Sequence, residues 1–225
     1  MATARTVTRT AGPWAVALAA AEVALAVAVV LLDLLLPTLV LLAMASVSLV
    51  LRRERWHTLG VESPTGGLRL VLTMLVAAVL WTGVHLVLFL PVAEHLSGQQ
   101  QDTSEFTALE GDLGTLAVML LLSWTLAAVG EEVAYRGYLL TRVRQVLGGS
   151  TAGVVVSVLA TSVVFGLAHT EQGVVGVTLA TIDGLAYCAL RLRYGTVWAP
   201  VLAHGFLNMI GLTSFYLVGP VTGLW

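Results

Sequence analysis

Apolar residues in this chain run on in long blocks, and short clusters of glycine, serine, proline or charge separate the blocks. Blocks of about 20 residues have the length of a helix that crosses a hydrocarbon core of about 30 Å. They predict spans over 13–32, 35–51, 68–92, 114–140, 151–169, 173–190 and 196–217. The breaks fall at Gly66 and Gly67, at 97–101, at 148–150 and at 191–195, through turn chemistry or charge. The chain therefore reads as all-α: a polytopic transmembrane bundle of about seven helices, a single integral membrane domain over 1–225 without internal repeats. The run 11–32, which follows Arg5 and Arg9, exceeds the roughly 7–15 residue core of a secretory signal and reads as a retained anchor. A second run after Asp33 and Pro37 is stopped by Arg52, Arg53 and Arg55, as in a helical hairpin.

Composition agrees and removes one class of partner. Hydrophobic residues make up 58% and charged residues 11% of the sequence, with a mean hydropathy of +0.92. A soluble domain is about half apolar and a quarter charged, so membrane lipids are the expected surroundings. The net charge of -2, with no basic run interleaved with aromatics, excludes nucleic acid. Cys188, the only cysteine, can form no internal disulfide and reads as a small buried hydrophobe.

All 11 basic residues are arginine, and arginine favours the cytoplasmic side. With the N-terminus inside, Arg5 and Arg9, then Arg52, Arg53, Arg55 and Arg69, then Arg142 and Arg144, then Arg191 and Arg193 all fall on cytoplasmic segments. The opposite loop holds Glu94, Asp102, Glu105, Glu110 and Asp112 without an arginine, and Trp225 falls outside. Trp14, Trp56, Trp81, Trp198 and Trp225 lie mostly near span ends, as an interfacial aromatic belt requires. The absence of lysine and the richness in alanine and valine point to a bacterial cell membrane.

Only Arg136 remains inside a span, and it has company. The fourth span reads AAVGEEVAYRGYLL, with Glu131, Glu132 and Arg136 in apolar surroundings. A charge at mid-helix costs about 2.5–3.5 kcal/mol on insertion scales, so such groups face a bundle interior or a wet cavity and find partners. Glu132 and Arg136 are spaced i, i+4 and are expected to pair; Glu131 points about 100° away and is left for another use. The fifth span ends FGLAHTEQG, placing His169 one turn past Phe165, and the last carries His204 and Asn208 at i, i+4. A carboxylate, two imidazoles and a carboxamide supply what peptide hydrolysis needs: a base for water, a proton carrier and donors to an oxyanion. Ser123, Ser157, Ser162 and Ser214 lack a G-x-S-x-G setting, Cys188 lacks a base, and H-E-x-x-H is absent, so serine, cysteine and zincin readings are weaker.

These residues form E-E-x-x-x-R (Glu131, Glu132, Arg136), F-x-x-x-H (Phe165, His169) and H-x-x-x-N (His204, Asn208). In order and spacing they resemble the CPBP family of intramembrane proteases, which includes type II CAAX prenyl endopeptidases and bacteriocin-immunity relatives. The likeness covers about Gly130 to Asn208 and includes YGTVWAPVLAHGFLN; LGVESPTGGLR resembles the family's amphipathic connector. It divides the domain into N-terminal helices and loop, 1–112, and catalytic helices, 113–217. The resemblance implies that Glu131 and His169 activate water, that His204 and Asn208 stabilise the oxyanion, and that Glu132, Arg136 and Phe165 support the site. It implies a glutamate-based endopeptidase acting on a membrane-associated protein or peptide, of which a prenylated CAAX-type C-terminus is the best-known case. No cofactor is required; a divalent metal such as zinc, held by Glu131, His169 and His204 in a His₂Glu set, is the alternative.

Two other classes fit the same residues: a non-enzymatic membrane immunity or scaffold protein, and a proton-coupled transporter using Glu131, Asp183 and the histidines. The absence of broken helices in paired halves counts against the transporter. Asp183, His85 and Glu22 are intramembrane polar residues outside the motifs and read as structural. One geometric tension stands. Glu131 lies about 16 Å from Arg142 along its helix and His169 about 27 Å from Thr151, so the two share a depth only if the fourth helix continues past Arg142 or the fifth begins deep.

Overall fold

The computed structural model describes residues 12–62 and 66–220. Arg5, Arg9, Trp225 and positions 63–65 of the connector lie outside the described residues. The rest is all-helical: α1 (Pro13–Leu31), α2 (Pro37–Arg52), α3 (Gly67–Ser97), α4 (Leu113–Leu147), α5 (Thr151–Leu167), α6 (Gly173–Tyr194) and α7 (Trp198–Val218). Short 3₁₀ turns at Trp56–Leu59, Ser104–Leu109 and Thr170–Gln172 join them. Five stretches, in α1, α3, α4, α6 and α7, are long and apolar enough to cross a membrane; α2 and α5, with 16 and 17 residues, are apolar but shorter. The polytopic bundle of about seven helices is therefore what the chain forms.

Local chemistry sets the boundaries. Pro37 opens α2, where its missing N–H costs nothing. Asp112 caps α4 by accepting from the amides of Gly114 (2.8 Å) and Thr115 (3.1 Å), and these bonds hold its carboxyl below the usual range. Gly195, with φ 71°, closes α6 in the left-handed conformation. The third helix passes through Pro91 without ending, unlike the predicted stop at 92, because a wide π turn at His85–Phe89 precedes the proline. Such a turn makes room for a ring that would otherwise strike the carbonyl one turn back.

The depth tension is resolved by α4. It continues five residues beyond Arg142 to Leu147, so Glu131 is 16 residues and about 24 Å from its end. That nearly equals the 18 residues, about 27 Å, from Thr151 to His169 across the tight turn at 148–150. Helix α5 itself ends at Leu167, so His169 stands in the turn beyond the helix instead of inside the predicted span 151–169.

Helices α5 and α6 approach most closely through small residues, as membrane helices do when lipid offers no hydrophobic drive between them. A Cβ on Gly184 would lie 2.9 Å from Cα of Ser162, and one on Gly166 would lie 2.7 Å from the carbonyl oxygen of Val177. Gly184→Val is therefore expected to cost at least about 1–3 kcal/mol, read as a lower thermal midpoint in detergent, because backbone cannot yield as a side-chain tip can.

At one end of the bundle the arginines gather. Arg52 pairs with Glu22 (3.2 Å), Arg142 pairs with Glu22 (3.2 Å) and Glu54 (2.8 Å), and Gln145 reaches the carbonyl of Ala15. Glu22 thus ties α1 to α2 and α4.

Candidate active site

The middle of α4, Ser123–Leu139, is wound with i→i+5 hydrogen bonds, a wider helix than the α-helix behind the 100° estimate, and such turns concentrate at functional sites. It carries Glu131, Glu132 and Arg136. Two glycines let neighbours press against it: Gly130 faces Thr38 of α2, and Gly137 faces the carbonyl of Leu59.

Arg136 Nη1 donates to Oε1 of Glu132 at 2.8 Å, and both side chains are 0% exposed. The same oxygen accepts from His204 Nδ1 at 3.0 Å. One carboxylate thereby joins α4 to α7 and orients the imidazole. The Arg136 guanidinium lies 3.9 Å over the ring of Phe165 and 5.1 Å from that of Tyr187, a cation–π arrangement that offsets part of its desolvation. Tyr187 in turn stacks on His204, with centroids 4.9 Å apart and 18° between planes.

His169 packs against Phe165 (4.8 Å between centroids), and its Nδ1 lies 2.9 Å from the Phe165 carbonyl. A carbonyl only accepts, so Nδ1 carries the proton and Nε2 keeps its lone pair. In His204 the carboxylate of Glu132 likewise takes Nδ1, leaving Nε2 for chemistry. Phe165 bridges the two imidazoles, lying 6.1 Å from the His204 ring.

Glu131 is the odd member. Its Oε2 is shut off from solvent and has no hydrogen-bond partner. Its carboxyl is coupled electrostatically to His204 first and then to His169. Asn208, one turn past His204, is half-buried, and its carboxamide makes no hydrogen bond to another described residue. Glu132, Arg136, Phe165, His169 and His204 thus meet in one interior region, to which Glu131 contributes a free polar atom. Among the described residues no three His, Cys, Asp or Glu side chains converge as metal ligands would. Glu131, His169 and His204, the set of the zinc alternative, do not form such a group.

A strap covers the end of the site bearing His169. Gln101 donates to Gln172 (3.0 Å), the amide of Asp102 donates to the Gln172 carbonyl (3.1 Å), and Phe106 packs on Phe215. Burial and then the charge of Glu171 push Glu105 above the usual carboxylate range, against the opposite pull of His169.

Asp183 belongs elsewhere. Its Oδ1 accepts from Trp81 Nε1 (2.6 Å) and lies 2.9 Å from His85 Nε2, which ties α3 to α6. Trp81 therefore serves the interior and not the aromatic belt. Cys188 is fully buried, with Ser162 Oγ 3.8 Å from its sulfur. The motifs missed Tyr187 and Tyr135, which wall the site on Phe165 and His204. For Tyr135 a signal existed: it stands one turn past Glu131.

An all-helical membrane bundle that buries a Glu–Arg pair and the imidazole of His204, with that of His169 half-buried beside them, is a polytopic membrane protein with an intramembrane polar site. Residues 113–210 match the family model described as Type II CAAX prenyl endopeptidase Rce1-like, in agreement with the CPBP resemblance of the motifs. No curated protein and no solved structure matches the chain.

Proposed function

We propose that this chain is an intramembrane endopeptidase that hydrolyses a peptide bond of a membrane-associated protein, with a prenylated CAAX-type C-terminus as substrate class. The observation that carries the reading is the contrast within the Glu131–Glu132 pair. Both keep an enclosed Oε2 without a partner, but Glu132 is engaged through Oε1 by Arg136 and His204, whereas neither oxygen of Glu131 is hydrogen-bonded and the Nε2 atoms of the two imidazoles are uncommitted.

Glu131, helped by His169 Nε2, takes a proton from a water molecule as its oxygen adds to the scissile carbonyl carbon. The tetrahedral oxyanion is met by His204 Nε2 in its protonated form and by the Asn208 amide. The proton held by Glu131 passes to the leaving nitrogen, the C–N bond breaks, and an acid and an amine leave. In this reading the helices over 1–112 support the catalytic half, and the arginine pattern favours a cytoplasmic N-terminus.

The test is cleavage by the purified chain in liposomes of farnesylated peptides ending in C-a-a-X and of matched unprenylated peptides, with products identified by mass spectrometry. Release of the C-terminal tripeptide from the farnesylated set supports the full reading. Cleavage of the unprenylated set alone removes the prenyl substrate and keeps the enzyme. Hydrolysis of neither, with a folded protein, favours the scaffold class.

A further inference from the structure

The arginine end of the bundle holds a cavity of about 370 Å³, with none of the motif residues in its lining, bounded by Glu54, Thr58, Thr141, Arg142, Arg144 and Arg191 among others. That volume lies within the roughly 300–1,000 Å³ usual for small-molecule sites. Three guanidiniums line it against the single carboxylate of Glu54. Arg142 is already satisfied by Glu54, Glu22, Ser48 and Gln145. Arg144 and Arg191 are not: neither guanidinium makes a hydrogen bond or ion pair with a described residue, and Arg191 Nε is enclosed without a partner. The two lie close enough to repel.

The fold nevertheless holds Arg191 in place. Gly60, with φ 80°, presses so closely on its guanidinium that a Cβ there would collide, and the Gly60 carbonyl is pinned by the amide of Val197 (3.0 Å). A like-charged pair fixed in a cavity is preorganised for an anion, and guanidinium forks match phosphate oxygens. The cavity opens where α4 and α6 leave the apolar layer, and basic pockets between membrane helices take phosphate headgroups.

We propose that this cavity binds a net-anionic phosphate group, one with no ammonium of its own headgroup to balance it, held by Arg144 and Arg191 at the level of the lipid headgroups. Thermal unfolding of the full chain in a neutral detergent tests it, with phosphatidylglycerol, phosphatidylcholine or inorganic phosphate added at matched ionic strength. At about 100-fold excess over Kd, a ligand bound here is expected to raise the midpoint by about 5–10 °C. A rise with phosphatidylglycerol but not phosphatidylcholine assigns the site to a lipid headgroup, and a rise with inorganic phosphate alone assigns it to a free anion. In either case Arg144→Gln, on an exposed side chain that folding does not need, and Arg191→Gln should each weaken the response at least about tenfold in ligand concentration. No response, equal responses to both lipids, or an unchanged response in Arg144→Gln overturns the proposal.

Discussion

Glu131→Gln is expected to reduce peptide cleavage by about 10²–10⁴-fold while leaving the thermal midpoint nearly unchanged. Proton transfer by a positioned side chain contributes about that much to rate, and an amide has the shape of the carboxylate without its basicity. The fold should tolerate the change because Glu131 anchors nothing: its Oε2 has no partner, and the link between α4 and α7 runs through Glu132 instead. Turnover of a reporter peptide and a melting curve on the same preparation separate the two effects. Retained cleavage at wild-type rate removes Glu131 as the base, whatever happens to stability.

The second large effect is on stability. Arg136→Met should leave Glu132 charged, enclosed and supported only by His204, and breaking a buried pair from one side costs about 3–5 kcal/mol. For a chain of this size that is a fall of roughly 10 °C in thermal midpoint. Arg136→Lys should rescue poorly, since an ammonium cannot lie flat on Phe165 as the guanidinium does at 3.9 Å. Adding Glu132→Gln to Arg136→Met should recover part of the loss by removing the stranded charge, a coupling that a double-mutant cycle measures. A double variant as unstable as the sum of the singles would argue that the pair is not coupled.

Much of this was legible because membrane helices advertise themselves twice. Long apolar runs gave the helices, and charge inside such a run is costly enough that Glu131, Glu132 and Arg136 had to share an interior. The pairing of Glu132 with Arg136 followed from spacing alone. The partners of Asp183 did not, because Trp81 and His85 are about a hundred positions away and no period connects them. For the same reason Glu22 gave no hint of Arg142. Depth was ambiguous for another cause: Arg142 looked like a stop signal, but partly buried carboxylates on α1 and after α2 neutralise it, so the helix continues to Leu147. The wide turns at His85–Phe89 and Ser123–Leu139 leave no mark in an apolar pattern, since hydropathy reports solvent and not the pitch of the backbone.

The two short helices carry a consequence for the surrounding lipid. At 16 and 17 residues, α2 and α5 extend about 24–26 Å, less than the usual hydrocarbon thickness of about 30 Å. Hydrophobic mismatch of this sign is met by drawing the leaflets together, at a fraction of a kcal/mol per Å. Because α2 packs on the wide part of α4 and α5 bears Phe165, the bilayer would be pinched beside the polar cluster, and a peptide bond arriving from the headgroup layer would cross less oil to reach it.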